Sequence, residues 1–177
     1  MTGSKEFNEF VMHDMKNGIR QIISFILPFT VLVVVPLLIE KDIRIKSLPA
    51  FIIGVYVMCI GLMIMILTIT AFIRKGNGTL APWNPTKKLV KGGLYSYVRN
   101  PMIMGVMTVL SGESIAFLSK SIFIWTLLFF LINNFYFVWI EEPTLAKKFG
   151  KDYQEYKRHV RRWIPRFKSF KKEEKTN

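Results

Sequence analysis

Between Pro49 and Ile73 the chain runs for 25 residues without a single charged side chain. A helix of that length is longer than the roughly 20 residues needed to cross a bilayer core. Three further apolar runs accompany it: Gln21–Ile39, Met102–Leu118 and Ser121–Ile140. The chain is 51% hydrophobic, yet it carries 25 Lys and Arg against 12 Asp and Glu, for a net charge of +13. Apolarity and charge on this scale must be segregated along the chain. This argues against a soluble DNA-binding domain and for a membrane protein with basic water-facing segments. The first run ends in Ile39-Glu40-Lys41 rather than at a small-residue cleavage site, so it reads as a retained helix and not as a signal peptide.

The expected fold is all-α: a polytopic bundle of about four transmembrane helices, with five as the alternative, and an amphipathic cytoplasmic helix after them. Leu145, Phe149, Tyr153, Tyr156 and Val160 recur at helical spacing. Pro143 suits the first turn of that helix, and Pro165 stops anything beyond Ile164. The segments read as an N-terminal stretch (1–20), a two-helix scaffold (21–73), a core of loop, helical hairpin and amphipathic helix (74–165), and a charged, frayed tail (166–177). Of the 25 basic residues, 21 lie in the N-terminal stretch, the 74–101 loop and the C-terminal segment, and 4 in the other two turns. The excess of positive charge places both termini in the cytoplasm, in a plasma membrane if the source is bacterial.

Several chemistries are excluded or disfavoured. Cys59 is alone in an apolar run, so no disulfide framework forms within one chain, and it reads as a buried, inert thiol. His13 and His159 are the only histidines, and a metal site is not expected. Gly76-Asn77-Gly78-Thr79-Leu80-Ala81 fits G-x-G-x-x-A, but a membrane-length run precedes it and Pro82 and Pro85 follow, which is not a dinucleotide-binding context. Gly54 and Gly61, seven apart, either allow close helix approach or are simply tolerated. Glu113 is either a functional acid within the membrane or a polar spot facing other helices. Asn133-Asn134 interrupts the fourth run.

Two constellations lie where membrane meets cytoplasm. In Lys87–Pro101, Gly92 and Gly93 permit close backbone approach, Tyr95 and Tyr97 offer π-faces, Arg99 can clamp an anion, and Asn100 can donate and accept. The competing reading is a basic loop on anionic lipid headgroups. The second constellation is Glu141-Glu142, two carboxylates in basic surroundings.

At these residues the chain resembles the integral-membrane isoprenylcysteine carboxyl methyltransferase and phospholipid methyltransferase group, especially its bacterial members. The resemblance rests on Gly78-Thr79-Leu80-Ala81-Pro82-Trp83-Asn84-Pro85, on Leu89-Val90, and on Gly93-Leu94-Tyr95-Ser96-Tyr97-Val98-Arg99-Asn100-Pro101-Met102-Ile103-Met104-Gly105. It continues in Glu141-Glu142-Pro143 and in the later Arg162-Trp163-Ile164-Pro165. It implies S-adenosylmethionine as cofactor, held by Leu89, Val90, Tyr95, Asn100, Pro101, Met102, Ile103 and Glu141. The catalytic candidates, read from the residues themselves, are Arg99, to orient an anionic group or stabilise the loop, and Glu142, to brace the site or meet substrate. The resemblance further implies a lipid or lipidated small-molecule acceptor, carboxylate or amine, and no nucleic-acid partner; oligomeric state and acceptor identity stay open. The group often has His at Asn100 and Tyr at Ile103, and its eukaryotic members have a substrate-binding Arg at Phe137. The last of these departures weighs against a prenylcysteine carboxylate substrate. The alternatives are a non-catalytic module that binds anionic lipids or a protein partner through the basic loop and tail, and a reductase of the sterol-reductase type.

Overall fold

The computed structural model describes residues 26–76 and 89–170. The G-x-G-x-x-A stretch from Asn77 on, the 78–85 part of the resemblance and His13 lie outside them. The described elements are all helical: α1 (Ile26–Ile39), α2 (Leu48–Gly76), α3 (Pro101–Phe117), α4 (Lys120–Tyr136) and α5 (Glu142–His159), with a 3-10 turn at Gly93–Ser96. Among the described residues, two helices are long and apolar enough to cross a membrane: the Leu48–Ala71 part of α2, and the continuous Lys120–His159 rod that contains α4 and α5. Both expose large aliphatic and aromatic side chains, such as Ile52, Ile66, Leu67, Phe123, Leu131 and Phe135. An apolar exterior of this extent needs something other than water against it.

The strongest seam is antiparallel, between α2 and α3. The two helices approach backbone to backbone at four glycines. A Cβ on Gly54 would lie 2.4 Å from Ala116 N, and one on Gly61 2.7 Å from Val109 N. From the other side, Gly105 sits against Met65 and Gly61 O, and Gly112 against Met58 and Gly54 O. Gly54 and Gly61 are therefore required by close approach, and Gly105 and Gly112, again seven apart, complete the seam. Met65, Val106, Val109, Leu110 and Phe129 form the core beside it. Cys59 corrects the sequence reading: it is exposed, because the seam takes positions 54, 58, 61 and 65 and leaves 59 on the outward face.

In α1 a π-helical turn at Thr30–Val34 precedes Pro36. The Val35 amide donates to Thr30 O, one residue farther back than in an α-helix. The next partner in that register for Val31 O would be residue 36, a proline with no N–H. The Trp125 indole of α4 supplies the missing donor, with Nε1 3.2 Å from Val31 O. At the same end of the bundle, the Ser119 hydroxyl donates to Glu40 while accepting from the Ile122 amide as the cap of α4. The turns after α1 and after α3 thus meet at one end, and the polar segments 89–100 and 141–170 gather at the other.

At this second end a π-helical turn, Phe137–Glu141, carries the rod past Glu141-Glu142 into α5. Two expectations need correction. Gly150 is not inside a regular helix. Its φ of 51° and ψ of −127° kink α5, in open space where an L side chain would be strained. The tail is not frayed from Arg166: α5 ends at His159, Val160 is extended and fully buried against Tyr153 and Tyr156, and the chain stays pinned through Phe170.

Candidate active site

The site is built on the turn before α3. Gly93, at φ 66°, opens it, and the Ser96 hydroxyl closes it onto Gly93 O at 2.6 Å. Tyr97 and Val98 amides both donate to Leu94 O, and Pro101 then starts α3 with Asn100 as its cap residue. The Asn100 side chain makes no capping bond, so its amide is left available.

Residues 153–170 strap this turn from outside. The Arg99 amide donates to Arg161 O at 3.0 Å, Arg166 to Tyr97 O at 3.0 Å, and Phe170 to Ser96 O at 3.1 Å. The Tyr156 hydroxyl donates to Tyr95 O at 2.6 Å, and Lys91 pairs with Asp152 at 3.7 Å. The apolar face predicted for the amphipathic helix is therefore spent on the turn: Tyr153, Tyr156 and Val160 form a small core against which Leu89, Leu145 and Phe149 pack.

Glu142 is the electrostatic centre. Its side chain is 7% exposed, and both oxygens are occupied. Oε1 receives Arg99 Nη1 at 2.9 Å and Arg162 Nη2 at 2.6 Å; Oε2 receives Lys157 Nζ at 2.6 Å. Burial alone would raise this carboxyl, but the Lys157 hydrogen bond and the Arg99 and Arg162 charges outweigh it and hold it below its ordinary value. Arg99 also donates to the Tyr153 hydroxyl at 3.3 Å, while its Nε is buried with no partner. Arg162 reaches on to Asn134 Oδ1 at 3.3 Å, which also accepts from Trp163 Nε1 at 3.0 Å.

Glu141, one residue earlier, has the opposite character. Burial and the adjacent Glu142 charge push its carboxyl up to about 7. The Tyr95 phenol lies within its field, and burial together with Glu141 raises that phenol as well. Adjacent on one helix, the two acids project to different sides and so meet these different settings.

The residues singled out from sequence are thus distributed as follows. Tyr95, Arg99, Glu141 and Glu142 come together at the head of α3. Asn100 and the fully buried Pro101 border them, and Met102 is half-buried in the first turn. Val90 is buried, Leu89 packs on the strap, and Ile103 turns onto the bundle core. Glu113 lies three turns away and takes no part; it is buried, with Oε2 unpartnered. Lys157 and Asn134 were missed. The signal for Asn134 was its presence in an apolar run, but its partners come from the strap, nearly thirty residues away.

The phospholipid methyltransferase family model matches residues 49–152, more than half of the chain. The chain belongs to the phospholipid methyltransferase family. The family match takes in α2, the turn, α3, α4 and the first part of α5, and so contains both Arg99 and the Glu141-Glu142 pair. Over 68 residues the chain is also 37% identical to an uncharacterized protein of Haemophilus influenzae, a stretch that is 38% of this chain and 98% of that one. No solved structure matches. Membership in this family implies methyl transfer at a membrane, and the all-helical fold with its apolar exterior accords with that setting.

Proposed function

We propose that this member of the family is an integral-membrane, S-adenosylmethionine-dependent methyltransferase acting on a lipid or lipidated small molecule. The observation that carries the reading is the convergence, at one end of an apolar bundle, of Tyr95 and Glu141 with the Arg99–Glu142 pair. The apolar lengths of α1, α2, α3 and α4 would form four spans. Both termini and the 89–100 turn then lie on the cytoplasmic side, with most of the basic residues.

The residues fit the cofactor. The buried, unpartnered Arg99 Nε and the uncommitted Asn100 amide suit a carboxylate, and Glu141 suits hydroxyl or amino groups. Tyr95 and the half-buried Met102 would complete the holding set, with Leu89, Val90, Pro101 and Ile103, packed into the strap and the bundle core, backing it. When bound, S-adenosylmethionine supplies an electrophilic methyl group on a sulfonium. The chain's own contribution is alignment for in-line displacement and exclusion of water. An amine acceptor must first lose a proton, and a carboxyl titrating near neutrality, as Glu141 does, is suited to take it. Glu142 acts as a positioning residue that holds Arg99, since both its oxygens are already engaged.

The test is calorimetric titration of the purified protein with S-adenosylhomocysteine, the product expected of the cofactor. Binding that disappears in Glu141→Ala supports the reading. Absence of binding by well-folded protein, in detergent and again in lipid nanodiscs, refutes it.

A further inference from the structure

A groove of about 280 Å³ opens between α3, α4 and the strap, lined by Met104, Met107, Thr108, Ser111, Phe130 and Trp163. Its α3 members fall at spacings of 3, 1 and 3, a single stripe down one face. The stripe begins one turn below Asn100 and ends about 10 Å farther along the axis at Ser111. It therefore leads from the head of α3 into the apolar depth of the bundle. The Thr108 hydroxyl is committed to Met104 O at 2.8 Å, so the surface offered is chiefly thioether and aromatic. Methionines adapt to an occupant of variable shape.

The strap wall is, by contrast, fixed. Trp163 is held by its bond to Asn134 and packs edge-on against Phe130 at 5.4 Å and Phe137 at 5.8 Å. Its neighbour Arg162 shares the Asn134 oxygen and grips Glu142. On α4, one turn from Phe130, Leu127 is exposed, so the outer surface beside the groove is apolar.

We propose that this groove holds one apolar chain of the methyl acceptor, and that Trp163 is the specificity-determining residue limiting that chain's bulk. The proposal rests on the methyl-transfer reading only in calling the occupant an acceptor. The volume and the single stripe suit one unbranched chain, so a diacyl lipid would leave its second chain outside.

The test uses a hexadecyl amine carrying a mid-chain diazirine, photolysed with the full-length protein in nanodiscs, with crosslinks mapped by mass spectrometry. Labelling is expected to concentrate on Met104–Ser111 and Phe130 and to fall about tenfold in Ser111→Phe, which fills the groove. Trp163→Ala is expected to raise groove labelling by a methyl-branched analogue about tenfold while labelling by the unbranched probe stays as it was, whereas misfolding would change both alike. Labelling spread evenly onto the outward Ile52–Leu67 face of α2, or no gain in Trp163→Ala, overturns the proposal. S-adenosylhomocysteine titration of the same samples separates the two readings. Groove labelling without cofactor-product binding refutes the acceptor assignment, and cofactor-product binding with even labelling refutes the groove alone.

Discussion

Replacing Glu142 by Gln keeps the shape of the side chain and removes the charge that faces Arg99, Arg162 and Lys157. The three contacts are not equivalent. Lys157 is 49% exposed, so its share is at most about 1 kcal/mol. The Arg99 side chain is 10% exposed and Arg162 23%, against a carboxylate at 7%. Breaking a buried pair by removing one partner costs about 3–5 kcal/mol, because the remaining charge is stranded. Gln still offers one acceptor, which brings the expected loss to about 3 kcal/mol. The loss should appear where the network holds the strap to the turn. The relevant amides are those of Arg166 and Phe170, bonded to Tyr97 O and Ser96 O. At about 1.4 kcal/mol per tenfold, their hydrogen-exchange protection should fall roughly a hundredfold, while amides of the α2–α3 seam keep theirs. Protection of these two amides within about threefold of wild type would refute the reasoning. An equal loss throughout the bundle would show that the network supports the whole fold rather than the strap.

Glu141 and the helix seam provide two further tests. Because Glu141 titrates near 7 in the folded chain and at 4.5 ordinarily, the folded state binds its proton more tightly than the unfolded state. Its contribution is fully present below about pH 4.5 and is lost as the pH rises through about 7, up to about 3 kcal/mol. Glu142, held low, loses its own contribution only on further acidification, so the two windows separate. Unfolding of Glu141→Gln followed across this range should lack the decline expected of wild type, and a parallel decline in the two would contradict the assignment. In the seam, Gly61→Ala would place Cβ 2.7 Å from Val109 N and 2.8 Å from Gly105 O, backbone atoms that cannot turn aside. The helices must part, at about 1–3 kcal/mol or more, and an unchanged unfolding temperature would show that the seam is looser than described.

Much of the architecture follows from local chemistry. Uncharged runs of bilayer length demand helices, Pro101 marks a helix start, and Gly93 marks a turn with positive φ. The amphipathic periodicity of residues 145–160 identified a face that must be covered, and Arg99 and Glu141-Glu142 stood out as charges beside apolar runs. These features depend on neighbours in sequence, so the sequence by itself determined them.

Tertiary structure decided what those features meet. Amphipathicity is equally satisfied by a membrane surface or by another segment; only the strap's bonds to Ser96, Tyr97 and Arg99 select packing on the turn. Gly105 and Gly112 became required when α2 came within backbone contact of α3. Both π-helical turns, 30–34 and 137–141, end two residues before a proline, yet only the folded chain gives Glu141 a carboxyl titrating near 7 and locks Glu142 among three cations. Cys59 shows the same division: its run dictates a helix, but which side of that helix is covered depends on the partner's approach. A side chain's type and spacing state what it needs. Whether a distant segment supplies that need is a property of the folded chain, because the partners lie tens of residues apart and meet only when the bundle closes.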